Sequence, residues 1–157
     1  MADLLVKLYT LPPSGPLLEK LKAEGVEIKR AIGPEKRAVA DWAEKKFSKA
    51  WASECEVALS AQPAGCFLAI KNKTLIGFAC YDSTSRGFFG PIGVDEAART
   101  AGVGKALLVR TLEAMREAGY GYAVVGWAGP VDFFKKTVGA TIIEGSEPGV
   151  YQHMVKA

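Results

Sequence analysis

The sequence predicts a single α/β (α+β) domain with a mixed sheet, and three observations support this prediction. The chain has 157 residues, which is the usual size of one domain. Segments with the periodicity of strands alternate along it with segments of helical periodicity. A strand, a helix and a second strand follow one another over 87–127, as in a βαβ unit, whose two strands are parallel. We therefore expect one core and one site in a single domain over 1–157.

The first part of the chain predicts two strands and two helices. Residues 3–11 and residues 26–32 alternate between polar and apolar side chains, which suits half-buried strands. Between them, leucines at helical spacing predict a short helix that ends at Gly25. A longer helix opens at Gly33-Pro34, because proline is tolerated in a first helical turn, and we expect this helix to end between 50 and 60.

The remaining part predicts a hairpin, the βαβ unit and a C-terminal pair of strands. The apolar runs 66–71 and 74–82 are separated by two residues, as in a hairpin. Segment 87–94 predicts a bulged or splayed strand, because its proline donates no ladder hydrogen bond. The amphipathic pattern of 102–118 predicts a helix, and 122–127 is typical of a parallel strand covered on both faces. A short helix, a strand and a last strand are expected at 130–137, 140–143 and 150–155.

Composition excludes several classes of partner. The 20 basic and 17 acidic residues are interleaved and give a net charge of +3, so we expect no nucleic-acid partner. No apolar run approaches the roughly 18 residues of a membrane span, and the first residues lack a basic segment followed by a cleavable apolar stretch. We therefore expect no membrane partner and a cytoplasmic location. Cys55, Cys66 and Cys80, with only His153 beside them, match neither a zinc site nor a disulfide framework. We expect reduced, buried thiols and no metal.

The most informative segment joins the strand at 87–94 to the helix at 102–118. It reads Arg99-Thr-Ala-Gly102-Val-Gly104-Lys105, with two glycines at the first helical turn. Free N–H groups at a helix start bind anions, and glycine lets a phosphate approach the main chain closely. The P-loop and the dinucleotide-binding fingerprint both fail, because Arg99, Ala106 and Leu107 stand at positions where those motifs require other residues. We expect a phosphate cradle of a different type.

This string, Arg-x-x-Gly-x-Gly followed by Lys-Ala-Leu-Leu, resembles motif A of the GNAT acyltransferase superfamily. The predicted elements over 60–157 also occur in the order of that family, with 1–59 as its variable start. The resemblance implies a GNAT fold, with a mixed, mostly antiparallel central sheet that is splayed between strands 4 and 5 and flanked by about four helices. It further implies that acetyl-CoA or coenzyme A binds as co-substrate between the strands at 87–94 and 122–127.

Carried over by position, the resemblance implies cofactor contacts in three places. At the splayed strand, the main chain of Ile92 and Val94, with Gly93 between them, would pair with the pantetheine amides. The loop that would wrap the pyrophosphate consists of Arg99, Thr100, Ala101, Gly102, Val103 and Gly104. The cations of Arg99 and Lys105 would also screen phosphate charge. Phe134 would lie near the thiol, where the family carries a tyrosine.

The resemblance also implies the chemistry. A primary amine of a small molecule or a protein would attack the acetyl carbonyl directly in a ternary complex, so the chain is expected to be an N-acetyltransferase. Positioning of the two substrates can supply about 7–11 kcal/mol of the barrier. The backbone N–H of Val94 is the implied oxyanion donor, and Glu54, Glu56 and Asp82 are candidate bases. Candidate residues for the acceptor pocket are Trp51, Phe88 and Phe89.

The chain departs from the family at the acid that meets the leaving thiolate. The family has a Phe-Tyr pair where this chain has Phe133-Phe134, so the hydroxyl is missing. Tyr122, Tyr151, Asp132 or water remain as replacements. The departure leaves an alternative function, a catalytically weak or inactive CoA-binding sensor or interaction module. The resemblance also implies a homodimer, while the acceptor itself is not specified.

Overall fold

The chain folds around one mixed sheet, which a computed structural model describes over residues 1–156, without the side chain of Thr100. Ala157 lies outside the described residues, as does the Thr100 side chain of the predicted phosphate loop. The strands are β1 (Leu4–Lys7), β2 (Val26–Arg30), β3 (Cys66–Lys71), β4 (Thr74–Tyr81), β5 (Phe88–Val94), β6 (Tyr122–Val125) and β7 (Thr141–Ile142). The α-helices are α1 (Gly15–Ala23), α2 (Lys36–Lys46), α3 (Lys49–Leu59), α4 (Val103–Glu117) and α5 (Val131–Val138). The 3-10 helices span Leu8–Thr10, Gly33–Glu35, Glu96–Ala101 and Gly149–Tyr151.

The sheet has the order β2-β3-β4-β5-β6-β1-β7. Strands β5 and β6 pair in parallel, and the other neighbours within residues 1–156 pair antiparallel. The parallel pairing is limited to Phe88 with Val124 and Phe89 with Val125. Beyond these pairs the two strands diverge. The predicted mixed, mostly antiparallel sheet is therefore confirmed. Its splayed pair, expected as strands 4 and 5, is β5 and β6 in the numbering of this chain, with helix α4 between them.

A bulge interrupts β5 next to the splayed region. Tyr81 of β4 faces Phe89, and Ala79 faces Ile92, so Gly90 and Pro91 together stand opposite a single residue of β4. Gly90 has a φ of 120°, which an L side chain rarely adopts. The bulge redirects the main chain of β5 at the point where its pairing with β6 ends, as the proline in this segment predicts.

Helices cover both faces of the sheet. Leu21 of α1 and nine buried residues of α4 pack on one face, where Leu107, Leu108 and Met115 are fully buried. On the other face, the buried residues of α2 and α3 form a second cluster with Phe78 and the three cysteines. The cysteines are buried free thiols, as predicted. None of the helices within residues 1–156 combines the length and the apolar character that a membrane crossing needs.

Three predictions of local structure are wrong. The strand expected over 3–11 ends at Lys7, because the chain turns into a 3-10 helix at Leu8. The single long helix expected after Gly33 is two helices, because the chain breaks at Phe47 and Ser48. No strand forms over 150–155, since β1 already occupies the place beside β6 and the side chains of Val150, Met154 and Val155 are exposed.

Candidate functional site

The splayed edge of β5 presents backbone groups without a partner strand. The N–H of Asp95 donates to the Ile76 carbonyl of β4 at 2.8 Å. Because backbone groups point to alternate sides along a strand, those of Val94 and Ile92 point away from β4, into the gap before β6. The carbonyl of Val94 accepts a hydrogen bond from Arg99 Nε at 3.2 Å. The N–H of Val94 is therefore aimed at the same gap, as an oxyanion donor would be.

Helix α4 begins beside this edge. Gly102, its N-cap residue, has a φ of 83°, a left-handed conformation that favours glycine. Gly104 lies in the first turn, where a Cβ would stand 3.7 Å from Val94 Cγ2 and 3.8 Å from Phe133 Cζ. The first N–H groups of a helix have no intrahelical partner and carry the positive end of its dipole. The two glycines thus leave the main chain open to an anion next to Val94.

The charges around this helix start are mixed. Arg99 and Lys105 are exposed, and the guanidinium of Arg99 is held near the strand by its bond to Val94. Asp95 accepts a hydrogen bond from the Ala97 N–H and pairs with Lys46 at 3.6 Å. A cavity of about 120 Å³ is lined by Lys46, Phe47, Val94, Asp95, Glu96 and Arg99. Ala101 is exposed and Val103 is fully buried, so the buried valine offers an anion only its main chain.

The two phenylalanines of α5 take opposite positions. Phe134 is only 2% exposed and packs its ring against Phe89 and Phe133. Phe133 is half-buried, and its ring lies beside Gly104. The structure therefore places Phe134 in the core and Phe133 beside the start of α4. Phe89 is also a core residue, at 1% exposure, and cannot line an open pocket.

Glu54 and Tyr151 are brought together on the face of the sheet that α3 covers. The Thr84 hydroxyl donates a hydrogen bond to Glu54 Oε1 and also interacts with the Tyr151 hydroxyl. Burial raises the pKa of Glu54 above its usual value, and the bond from Thr84 offsets part of this rise. A half-buried carboxylate with a raised pKa is a better proton acceptor than an exposed one.

Tyr151 covers Gly126 at the end of β6. A Cβ on Gly126 would stand 2.1 Å from the Tyr151 hydroxyl oxygen, so only glycine leaves room for it. Burial, with the nearby charges of Asp3 and Glu54, raises the pKa of Tyr151 to about 12. The phenol is therefore protonated at neutral pH. Its ring stacks on Trp127, with the ring centroids 4.3 Å apart.

The other residues considered from the sequence are either exposed or held by hydrogen bonds outside this cluster. Glu56 is exposed on α3. Asp82 closes the loop between β4 and β5, where it accepts hydrogen bonds from the Gly87 N–H at 2.7 Å and the Tyr120 hydroxyl at 2.9 Å. Tyr122 is exposed and packs edge-on against Tyr9. Asp132 and His153 are exposed.

Aromatic side chains cover the bulged strand on the α2 and α3 face. A Cβ on Gly93 would stand 2.5 Å from Phe47 Cε2 and 2.9 Å from Phe78 Cε1, so the rings close over the strand. Trp51 packs on Phe47, with the ring centroids 4.8 Å apart. The sequence singles out Trp51 but misses Phe47, whose place depends on the break between α2 and α3. It also misses Thr84 and Asp3, which carry no local motif.

Comparisons with known proteins agree with this architecture. The model of the acetyltransferase (GNAT) family matches residues 36–139. The glucosamine N-acetyltransferase region of a fungal multi-domain GH3 β-N-acetylglucosaminidase has a TM-score of 0.73 at 14% identity, over 90% of this chain and 19% of that one. A GCN5-related N-acetyltransferase from Sphaerobacter thermophilus has a TM-score of 0.68 at 17% identity, over 90% of this chain and 48% of that one.

A third similar structure is an aminoglycoside acetyltransferase from an uncultured soil metagenomic sample, in complex with sisomicin. Its TM-score is 0.51 at 19% identity, over 73% of this chain and 88% of that one. At these identities the similar structures show a shared fold, and this chain spans less than half of the first two. A search of the curated proteins finds no match.

The family match includes the elements that surround β5, and it ends before Tyr151. It contains α3 with Glu54, the bulged strand β5, the glycine-rich start of α4 and the pair Phe133-Phe134. Because this match covers well over half of the sequence, the chain belongs to the GNAT acetyltransferase family.

Proposed function

We propose that the chain is an N-acetyltransferase that transfers an acetyl group from acetyl-CoA to a primary amine of a small molecule or protein, by direct attack in a ternary complex. The observation that carries this proposal is the meeting of two features at Val94. Its N–H belongs to the unpaired edge of β5, and its side chain lies 3.7 Å from the Cβ position of Gly104 in the first turn of α4. An extended ligand with a phosphate group fits both features at once.

The residues around Val94 suit a CoA molecule. The backbone groups of Ile92 and Val94 would bind the pantetheine amides, and the turn from Arg99 to Gly104 would hold the pyrophosphate. The space left at Gly104 by its missing side chain supports this assignment. Arg99 and Lys105 would add positive charge at the rim. When bound, acetyl-CoA supplies the activated acetyl group, and the N–H of Val94 would donate toward its oxygen.

We assign the proton transfer at the amine to Glu54. The acceptor attacks as the neutral amine, and the half-buried carboxylate of Glu54, oriented by Thr84, would take the proton that its nitrogen loses as the C–N bond forms and the C–S bond breaks. CoA would leave as the thiolate. Tyr151 would orient the acceptor by donating a hydrogen bond. Proton donation by Tyr151 to the leaving thiolate is unfavourable, because its pKa of about 12 lies well above the ~8.5 of a thiol.

Two measurements test this function. Calorimetry should detect CoA binding, and the release of free thiol from acetyl-CoA should accelerate with at least one amine in a panel. Glu54→Gln should lower this rate by about 10²–10⁴, the usual contribution of general base catalysis. Glu56→Gln is the matched control, because Glu56 is an exposed carboxylate on the same helix, and it should leave the rate unchanged. Absence of CoA binding would overturn the proposal.

A second candidate is a CoA-binding sensor or interaction module without turnover. The burial of Phe134 favours it, because the chain offers no hydroxyl at the position where the family carries its acid. This candidate requires CoA binding without release of thiol for any amine. Accelerated thiol release that depends on Glu54 would exclude it.

A further inference from the structure

Trp127 has an uncommon backbone conformation for a bulky residue. It lies in the turn after β6, one residue beyond Gly126, has a φ of 47° and leaves 43% of its surface exposed. A bulky non-glycine residue in this left-handed region is strained, and such strain concentrates at binding and active sites. The N–H of Trp127 donates to Asp3 Oδ1 at 2.9 Å, and this bond holds the conformation in place.

The conformation changes the side to which the indole ring points. Along a regular strand, Gly126 and Trp127 would project to opposite faces of the sheet. Tyr151 covers Gly126, and the indole nevertheless stacks on Tyr151, with the planes 22° apart. One face of the indole is thus covered by the phenol ring, while part of the Trp127 side chain remains exposed to solvent.

Two carboxylates lie close to this aromatic pair. Asp3, only 5% exposed, holds Trp127 through its N–H, and Glu54 is linked to Tyr151 through Thr84. The negative charges of both carboxylates contribute to the raised pKa of Tyr151. An indole face in a negative potential is the environment that binds an organic cation best, and tryptophan is the strongest of the aromatic partners.

We infer that Trp127 and Tyr151 form a subsite for a second positive charge of the acceptor, so that the preferred acceptor is an aliphatic diamine or a longer oligoamine. One ammonium lies over the exposed indole face of Trp127, in the field of Asp3. The other amine reaches Glu54 and Thr84, where it reacts. The choice of the reacting amine rests on the proposed function, whereas the binding of a cation at Trp127 does not depend on it.

The test compares two ligands of similar length in the absence of CoA. 1,4-Diaminobutane carries two positive charges, and 4-amino-1-butanol carries one. Calorimetry should show that the diamine binds about tenfold more tightly, as expected from one partly desolvated cation–π contact. Trp127→Leu should remove this difference, and Trp127→Phe should retain part of it. Tyr122→Leu is the matched control, because Tyr122 is an exposed aromatic residue at the opposite end of β6.

The outcomes separate this inference from the proposed function. Equal affinity for the two ligands in the wild-type protein would overturn the inference. A Trp127→Leu variant that circular dichroism shows to be folded, and that still prefers the diamine, would also overturn it. Weaker CoA binding in Trp127→Leu with an unchanged preference for the diamine would assign the residue to the cofactor and also overturn it. A preference for the diamine without any CoA binding would overturn only the proposed function.

Discussion

Gly104 is a residue at which binding and stability should change in opposite directions. The Cβ of Gly104→Ala fits at ordinary contact distances from Val94 and Phe133. Alanine is favoured over glycine in a helix, so denaturation should show stability unchanged or raised by up to about 1 kcal/mol. The methyl group occupies the space proposed for phosphate, and calorimetry should show CoA affinity at least tenfold lower. Gly121→Ala, in open space outside the site, should leave CoA affinity unchanged.

The ionised Glu54 should lower the stability of the folded protein, although we propose that it promotes catalysis. Because burial raises its pKa, the folded protein binds the proton more tightly than the unfolded chain does. The ionised group therefore lowers stability as pH rises from its unfolded pKa through its folded pKa. Glu54→Gln should be at least as stable as the wild type at pH 7, with its relative stability decreasing toward pH 4. Thermal denaturation of both proteins across this pH range measures the difference in stability. The prediction would be contradicted if Glu54→Gln were least stable, relative to the wild type, at pH 7.

Phe134 and Phe133 should respond differently to an added hydroxyl. Phe134→Tyr places a hydroxyl in the core without a partner, so the free energy of unfolding should fall by about 1–3 kcal/mol. Phe133→Tyr places it at the half-buried position beside Gly104, and stability should hardly change. Denaturation and thiol release on both variants test this expectation. Equal losses of stability would show that the two rings are equally buried.

At the residue scale, the sequence predicts the part of the site that depends on local motifs. The helix start at 99–105 and the strand with Val94 are adjacent in sequence, so spacing alone places them together. Glu54 appears as one of several carboxylates, because nothing local distinguishes it from Glu56. The distinction comes from Thr84 and Tyr151, which reach Glu54 from distant parts of the chain.

At the element scale, the break between α2 and α3 shapes the face proposed for the acceptor. Apolar residues recur at helical spacing from α2 into α3, at Val39, Ala43, Phe47 and Ala50, so the sequence predicts a single helix. The chain breaks because Ser48 is extended and its Oγ accepts the Trp51 N–H at 3.1 Å, which begins a new helix. Phe47 is released from helical geometry at this break, and its ring closes over Gly93.

Removal of this N-cap should destabilise the protein. Ser48→Ala loses the bond to Trp51, and the free energy of unfolding should fall by about 1 kcal/mol. Ser53→Ala, at an exposed position inside α3, is the control and should be neutral or slightly stabilising. Chemical denaturation measures both. A neutral Ser48→Ala would show that packing of the aromatic cluster alone fixes the break.

At the scale of the whole molecule, the position of β1 could not be predicted from the sequence. Periodicity indicates a strand near the N-terminus but not its neighbours, which are β6 on one side and β7 on the other. This placement brings Asp3 to Trp127 and leaves no position beside β6 for a C-terminal strand. The expectation of a strand over 150–155 fails for this tertiary reason and not because its pattern is misread.

The sheet should therefore depend strongly on β1. Leu4 is fully buried between the neighbouring strands and the helices, so Leu4→Ala should lower the free energy of unfolding by about 2–5 kcal/mol. Leu5 is half-buried on the opposite face of the same strand, so Leu5→Ala should lower the free energy of unfolding by clearly less. Urea denaturation of both variants compares them. Equal costs would contradict the burial pattern of β1.

The central place of β1 also has a consequence for how the protein acquires its structure. Strand β1 pairs with Tyr122–Val125 and Thr141–Ile142, which lie far from it along the sequence and are synthesised much later. Contacts between such distant segments slow folding, because a long loop must close before they form. Until β6 is synthesised the apolar face of β1 lacks this partner, and the proposed acceptor site, with Asp3 beside Trp127, is assembled only after Tyr151 has also been added.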